Sequence, residues 1–358
     1  MSTQLDLVAS APGKLILMGE HAVVYGRPAL VGALDRRLRV SFRTRRSPGV
    51  DLVLPVLERR ISTTWSEIRD RTARARRRWT RRFVDGEEGE ELLRLGSEDL
   101  VLIALGEAAD LAGIPHHGLV LRIDSEIPVG AGLGSSAALA VALCGGYLAL
   151  RGHPTDPETI AELALEVERR QHGSPSGIDH HAVLHGGLLW AEGGPDGRLE
   201  TESLTSEAPV LRYLRAFDSG PPEEPTGVVV DAVRKRKLVD EESVEDLFGR
   251  IEVATRSFRE ELHATDPGRA LEAVHSCGRA LEELGVVPRE VRERTRRIEE
   301  KGGAAKISGA GSLSGPAAGS ILVLHSRPER IATWELLDGW DSLDTTLPGE
   351  GFRIEEVP

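Results

Sequence analysis

Cysteine is scarce: the 358 residues include only Cys144 and Cys277. Each sits in an apolar helical pattern, far from the other in sequence, which argues against a disulfide framework or a thiolate zinc site and leaves two core thiols. Long apolar runs are missing as well. No stretch reaches the roughly 18 to 20 residues that a membrane span needs. The opening MSTQLDLVASAPGK has neither the basic end nor the apolar stretch of a secretory leader, so the expected location is cytoplasmic, with no membrane partner. Positive charge is in deficit, and the formal net charge of −12 argues against a nucleic-acid partner. What is present is a globular composition, 40% hydrophobic over 358 residues, enough for one large core or two medium ones; ordinary domain size favours two.

The arginines are unevenly spread. Arg59, Arg60, Arg69, Arg71, Arg74, Arg76, Arg77, Arg78, Arg81 and Arg82 fall within residues 59–82 against only Glu67 and Asp70. The expectation is a solvated helix face that pairs with Glu87, Glu88, Glu90 and Glu91; a subunit contact or an anion-binding surface are the alternatives.

Residues 36–55 alternate Leu38, Val40 and Phe42 with polar neighbours, turn at Ser47-Pro48-Gly49 and resume as DLVLP, the pattern of a hairpin. A helix capped by Ser97 is expected to run to Gly113, with Leu100, Ile103, Ala104, Glu107, Ala108 and Leu111 at helical spacing. A strand-like GLVLRIDSEIP, a glycine-rich loop, an apolar helix and a further helix opening at Asp156-Pro157 follow. Composition shifts to Gly, Pro, Ser and acidic residues near 192–209, the expected domain boundary. Beyond it come a strand-like LRYLRAFDSG, amphipathic patterns at 238–262, 267–284 and 288–300, then AAKISG, SILVLH and a closing GFRIEEV. Strands and helices without regular alternation imply an α+β fold.

Three segments could carry chemistry. In the loop from Pro128 to Ala138, Gly130, Gly132 and Gly134 let backbone N–H groups approach an anion, and Ser135, Ser136 and Ala137 open a helix whose positive end points at the same place. A structural turn is the plain alternative. In APGKLILMGEHAVVYG, Lys14 stands between a Pro-Gly turn and an apolar strand, with Glu20 and His21 just after that strand; ordinary polar strand ends are the alternative. In the third, Glu168 lies near a helix end and Asp179 follows a Ser-Pro-Ser-Gly turn. Two such carboxylates suit one metal-binding and one base role. Alternatively, Glu168 pairs with a neighbouring arginine and Asp179 caps a helix.

In order and spacing, APGKLILMGEHAVVYG, PVGAGLGSSAA and HGSPSGIDHHAV resemble the three signatures of the mevalonate kinases within the GHMP kinases, over most of residues 9–190. More weakly, FDSGPPEEPTGVVVDAV resembles the segment in which a threonine reaches the substrate, and KISGAGSLSGPAAGSILVL the last glycine-rich motif. The resemblance implies a two-domain GHMP kinase fold with the active site in the cleft. An N-terminal ribosomal-protein-S5-like domain would span 1–195 and a C-terminal ferredoxin-like α/β-plait domain 205–358.

It further implies that Asp179 is the catalytic base and Lys14 its cationic partner, and that Ser136 and Glu168 hold Mg²⁺. Pro128, Gly130, Ala131, Gly132, Leu133, Gly134, Ser135, Ser136 and Ala137 would wrap the phosphates of ATP. Glu20, His21 and Thr226, with Lys14 and Asp179, would contact the acceptor, and Gly309, Ala310 and Gly311 would line the site from the C-terminal side. The implied reaction is phosphorylation of the 5-hydroxyl of mevalonate for isoprenoid precursor synthesis, by a homodimer as in many relatives. Alternatives are another GHMP kinase such as one acting on phosphomevalonate, with the arginine block holding the extra phosphate, a GHMP-fold decarboxylase, or a non-catalytic sensor. Two departures stand out. His180 and His181 follow Asp179 where the family usually has asparagine, and GAGSLSGPAAGS replaces a compact GAGxGGC.

Overall fold

The computed structural model describes residues 7–86, 96–128, 130–173, 175–194, 199–204 and 207–356. The first half contains β1 (Leu7–Met18), β2 (Ala29–Arg45), β3 (Val50–Leu54), β4 (Arg59–Thr63), α1 (Trp65–Phe83), α2 (Ser97–Ala112), β5 (Gly118–Ser125), α3 (Ser135–Leu150), α4 (Pro157–His172), α5 (Ile178–His185), β6 (Leu188–Gly193) and β7 (Leu199–Leu204). The second contains β8 (Leu214–Asp218), α6 (Thr226–Val239), α7 (Glu241–Glu260), α8 (Gly268–Leu284), α9 (Arg289–Glu300), β9 (Ala304–Ser308), β10 (Ser320–Leu324), β11 (Asp341–Ser342) and β12 (Arg353–Glu355).

One sheet runs β12-β1-β2-β5-β3-β4, with β6 and β7 joined through β2; the other runs β11-β8-β10-β9. The α+β expectation holds. The hairpin over 36–55 does not: β2 and β3 flank the Ser47-Pro48-Gly49 turn, but β5 inserts between them, antiparallel to β2 and parallel to β3. Alternation specifies that a strand has two faces and says nothing about its neighbour. Gly118 admits the inserted strand, since a Cβ there would lie 1.9 Å from the Ser47 carbonyl oxygen. Leu119 N–H then donates to Gly49 O at 2.9 Å.

The arginine block divides between a strand and a solvated helix face. Arg59 and Arg60 belong to β4, and only the rest lies on α1, whose start is fixed by a Thr64–Glu67 capping box. Its described partners are on α2: Arg71 pairs with Asp99, Arg76 with Glu107 and Asp110. Glu87, Glu88, Glu90 and Glu91 lie outside the described residues. α2 begins at Ser97 as expected, with Gly96 rather than Ser97 at the cap position. Sequence reasoning missed α6, because its run of valines buries only Val229 and Val233 and so shows a weak stripe.

α3 is apolar all round and buried from Ala137 to Leu148, the signature of a central helix. Gly146 lets it approach the first sheet, where a Cβ would fall 2.5 Å from Phe42 and 2.7 Å from Ala9. Cys144 and Cys277 are free and buried, as expected of core thiols. Among the described residues no helix is long and apolar enough to cross a membrane.

The closing GFRIEEV returns to the first sheet, with Val8 opposite Glu355. Arg37 holds it there, donating to Glu350 O at 2.8 Å and Gly351 O at 2.7 Å while also bonding Ser10.

Candidate active site

The site starts at a defect in β1. The β1–β2 register shifts between Pro12 and Lys14, because proline has no N–H for the ladder. Gly13 admits the phosphate loop, since a Cβ there would lie 2.9 Å from Leu133 O; Lys14 N–H donates to that same oxygen at 2.9 Å. The loop's glycines have positive φ, 84° at Gly130, 77° at Gly132 and 71° at Gly134. Gly134 is the left-handed N-cap of α3, so the loop ends where the unpaired N–H groups of Ser135, Ser136 and Ala137 face out. From the other half of the molecule, Ser320 N–H donates to Ala131 O at 3.0 Å. Val129 lies outside the described residues.

The Lys14 stem passes directly over Gly134, where an added Cβ would sit 2.6 Å from its Cγ. Gly134→Ala should therefore displace the ammonium and strain the loop together, lowering kcat/KM about 100-fold in steady-state assays; a loss under threefold would mean that the lysine stem is free to move.

Lys14 Nζ lies 3.1 Å from Asp179 Oδ2, the lysine side chain 4% exposed and the aspartate 33%. Asp179 is in the first turn of α5 but does not cap it; that position is Gly177, in the left-handed conformation. Glu168, on α4, is buried and accepts from His180 Nδ1 at 2.9 Å. The neighbouring arginines are committed elsewhere, Arg169 to Glu166 and Arg170 to Glu166 and Glu107. The helix begins as read, with Asp156 accepting from Thr159 N–H at 2.9 Å. The segment between α4 and α5 is held from outside by α1: Trp79 Nε1–H donates to Gly173 O at 2.6 Å, and Phe83 packs where a Gly173 side chain would go.

The acceptor side is built from both halves. Thr226 opens α6 and lines the cleft, as do Gly309 and Ala310. Glu20 and His21 line it too, and each is held by a partner from the other half. The Glu20 carboxylate is ion-paired with Lys306 Nζ, both side chains fully buried, and Lys306 also donates to Ile307 O at 2.8 Å. Burial pushes Glu20 upward and Lys306 pulls it back. His21, at φ 60°, donates from Nε2 to Ala310 O at 2.9 Å, and burial holds its ring neutral by lowering its pKa.

Gly309 faces Gly132 across the cleft, with a Cβ position 3.9 Å from Gly132 O. The unusual serines of the last motif have a structural use. Glu224 gathers the Ser312 and Ser314 hydroxyls and the Leu313 N–H, and although burial opposes its charge these donors hold its pKa down at about 2.

Between the two sheets lies a cleft of about 460 Å³, lined by Lys14, Glu168, Asp179 and Thr226 and by apolar Leu54, Val56, Leu57, Leu100, Val101 and Ile123. Sequence reasoning missed Lys306, Glu224 and Gln171; Gln171 lines the cleft beside Glu168, as does His172. Lys306 could have been found as a lone charge in an otherwise apolar strand. The His181 and His185 rings stack at 5.8 Å, and burial lowers His181 to about 4. No group of three or more His, Cys, Asp or Glu among the described residues is placed to hold a metal.

Residues 99–187 match the GHMP kinases N terminal domain. The mevalonate kinase of Thermococcus onnurineus (strain NA1) is 32% identical over 368 residues, 99% of each chain, and that of Pyrococcus furiosus is 31% identical over 365 residues, again 99% of each. Among solved structures, Methanococcus jannaschii mevalonate kinase superposes with a TM-score of 0.73 at 20% identity over 99% of both chains. Streptococcus pneumoniae phosphomevalonate kinase in complex with phosphomevalonate and AMPPNP superposes at 0.68 and 15% identity, over 96% of this chain and all of that one. Likeness at these identities establishes the fold without choosing an acceptor. Two sheets closing on a cleft with a glycine loop at a helix start define the GHMP kinases, phosphotransferases that use ATP. Within that class, the chain belongs to the mevalonate kinase family.

Proposed function

We propose that this enzyme transfers the γ-phosphoryl group of MgATP to the 5-hydroxyl of mevalonate, giving 5-phosphomevalonate and ADP. The observation that carries this is the Lys14–Asp179 pair, 3.1 Å apart at the mouth of the phosphate loop, in a chain alignable end to end with mevalonate kinases. Asp179 accepts the hydroxyl proton as the oxygen attacks phosphorus, and Lys14 stabilises the negative charge growing on that oxygen. The attack is direct and in line. Charge in the loose transition state sits on the γ-phosphate oxygens, where the backbone donors of residues 130–136 and the start of α3 are aimed.

Ser136 and Glu168 fit Mg²⁺: both offer hard oxygen atoms beside the phosphate loop, and this ion needs only one or two protein carboxylates besides phosphate oxygens. Bound there, the cation would neutralise phosphate charge. The apolar lining of the cleft, Leu54, Leu57, Leu100 and Val101 among it, takes the base of ATP, and Thr226 with the Gly309–Ala310 turn meets the acceptor. Arg71 and Arg76 of α1 turn to α2, and no arginine of α1 is among the residues lining the cleft, which favours an unphosphorylated acceptor over phosphomevalonate. The division at 1–195 and 205–358, the cytoplasmic setting and a homodimer belong to the same proposal; light scattering tests the dimer.

The deciding experiment is an ADP-release assay with MgATP against mevalonate, phosphomevalonate, diphosphomevalonate, galactose and homoserine, with product masses. Turnover on mevalonate, with a phosphoryl mass gained and no CO₂ lost, is expected. Turnover on a phosphorylated acceptor alone would overturn the substrate. Thr226→Ala should raise the KM for mevalonate about tenfold, the worth of one hydrogen bond to substrate, with the KM for ATP unmoved.

A further inference from the structure

The buried pair of Glu168 and His180 explains why histidine can stand where the resembling family has asparagine, and it assigns His180 a task. Glu168 is 3% exposed and His180 1%. Among the described residues, His180 Nδ1 is the side-chain donor to the Glu168 carboxylate, because Arg169 and Arg170 turn to Glu166 and Glu107. A carboxylate only accepts, so the proton of this bond sits on Nδ1. One carboxylate oxygen, Oε2, is thereby engaged, and rotation of the glutamate end is stopped. Oε1 keeps no protein hydrogen bond among the described residues and belongs to a side chain that lines the cleft.

We propose that His180 is a positioning residue that fixes Glu168 so that a single oxygen is presented to the divalent cation of bound ATP. This rests on Glu168 being the cation ligand. The His180 ring acts through its Nδ1–H alone. In histidine and asparagine alike the donor nitrogen is attached to Cγ, so both reach equally far from the backbone. An asparagine at 180 would make the same bond to Oε2, whereas leucine would keep the bulk without the donor, and aspartate would set a second negative charge against Glu168.

Mn²⁺ binding to the full-length enzyme with a non-hydrolysable ATP analogue, followed by electron paramagnetic resonance, tests this without turnover. His180→Leu and His180→Asp should bind Mn²⁺ about tenfold or more weakly, the usual cost of losing a partner that orients a metal ligand. His180→Asn should stay within about threefold. In kinetics, the Mg²⁺ concentration for half-maximal rate should rise for the first two variants, while the KM for the acceptor holds.

Glu168→Gln run in parallel separates the two layers. If it binds Mn²⁺ as tightly as the unaltered enzyme, Glu168 is not the ligand and the foundation fails. If Glu168→Gln is weak while His180→Leu and His180→Asp both bind normally, the positioning role is wrong. Asparagine failing alongside leucine, with both variants folded by circular dichroism, would show that the ring's shape matters and not its donor.

Discussion

Asp179→Asn should lower kcat by about a thousandfold, within the range that general-base catalysis supplies, with the Kd for ATP changed less than about threefold. The substitution keeps the shape of the side chain and a hydrogen-bonding oxygen for Lys14, which lies 3.1 Å from the carboxylate, but removes the group that takes the proton. A thousandfold in rate is about 4 kcal/mol of barrier. The other carboxylates that line the cleft hold other posts, Glu168 bonded to His180 through Oε2 and Glu20 paired with Lys306. Single-turnover measurement with a fluorescent nucleotide separates chemistry from binding. A variant that retains more than a tenth of the normal kcat would remove Asp179 from the role of base.

Lys306→Met should cost about 3–5 kcal/mol of folding stability, because it leaves the Glu20 carboxylate charged and unpaired in the interior. Both side chains are fully buried, and the pair joins the end of β1 in one half to β9 in the other. Cys277, 3.9 Å from Glu20, is too weak a donor to compensate. Urea unfolding of the variant should show a lowered midpoint. The double variant Glu20→Leu with Lys306→Met should recover most of the loss, since an apolar pair of similar volume carries no desolvation penalty. Equal instability of single and double variants would mean that the site depends on shape and not on charge.

The residues that meet in the cleft were more legible in the sequence than the order of the strands. Lys14, the 130–136 loop, Glu168 and Asp179 each sit in a short string whose turns and glycines are local devices, and local devices can be read locally. Strand order could not be read in this way. Nothing in residues 36–55 says that β5, some seventy positions on, will part β2 from β3. The same limit hid the partner of Glu20, since Lys306 lies 286 residues away. His180 is the intermediate case: the departure from the family's asparagine was visible, but its meaning needed the distance to Glu168.

The way Arg37 closes on the carbonyls of Glu350 and Gly351 has a consequence for how the enzyme is made. A nascent chain that has just finished its first half emerges from the ribosome with the outer edge of β1 unpaired and a guanidinium lacking two of its acceptors. Synthesis of the second half has to run through to residues 350–355 before that edge can be covered. The edge of β1 thus waits on residues made much later, and a quality-control protease surveying truncated products would find an exposed strand edge in every chain that stopped short of β12.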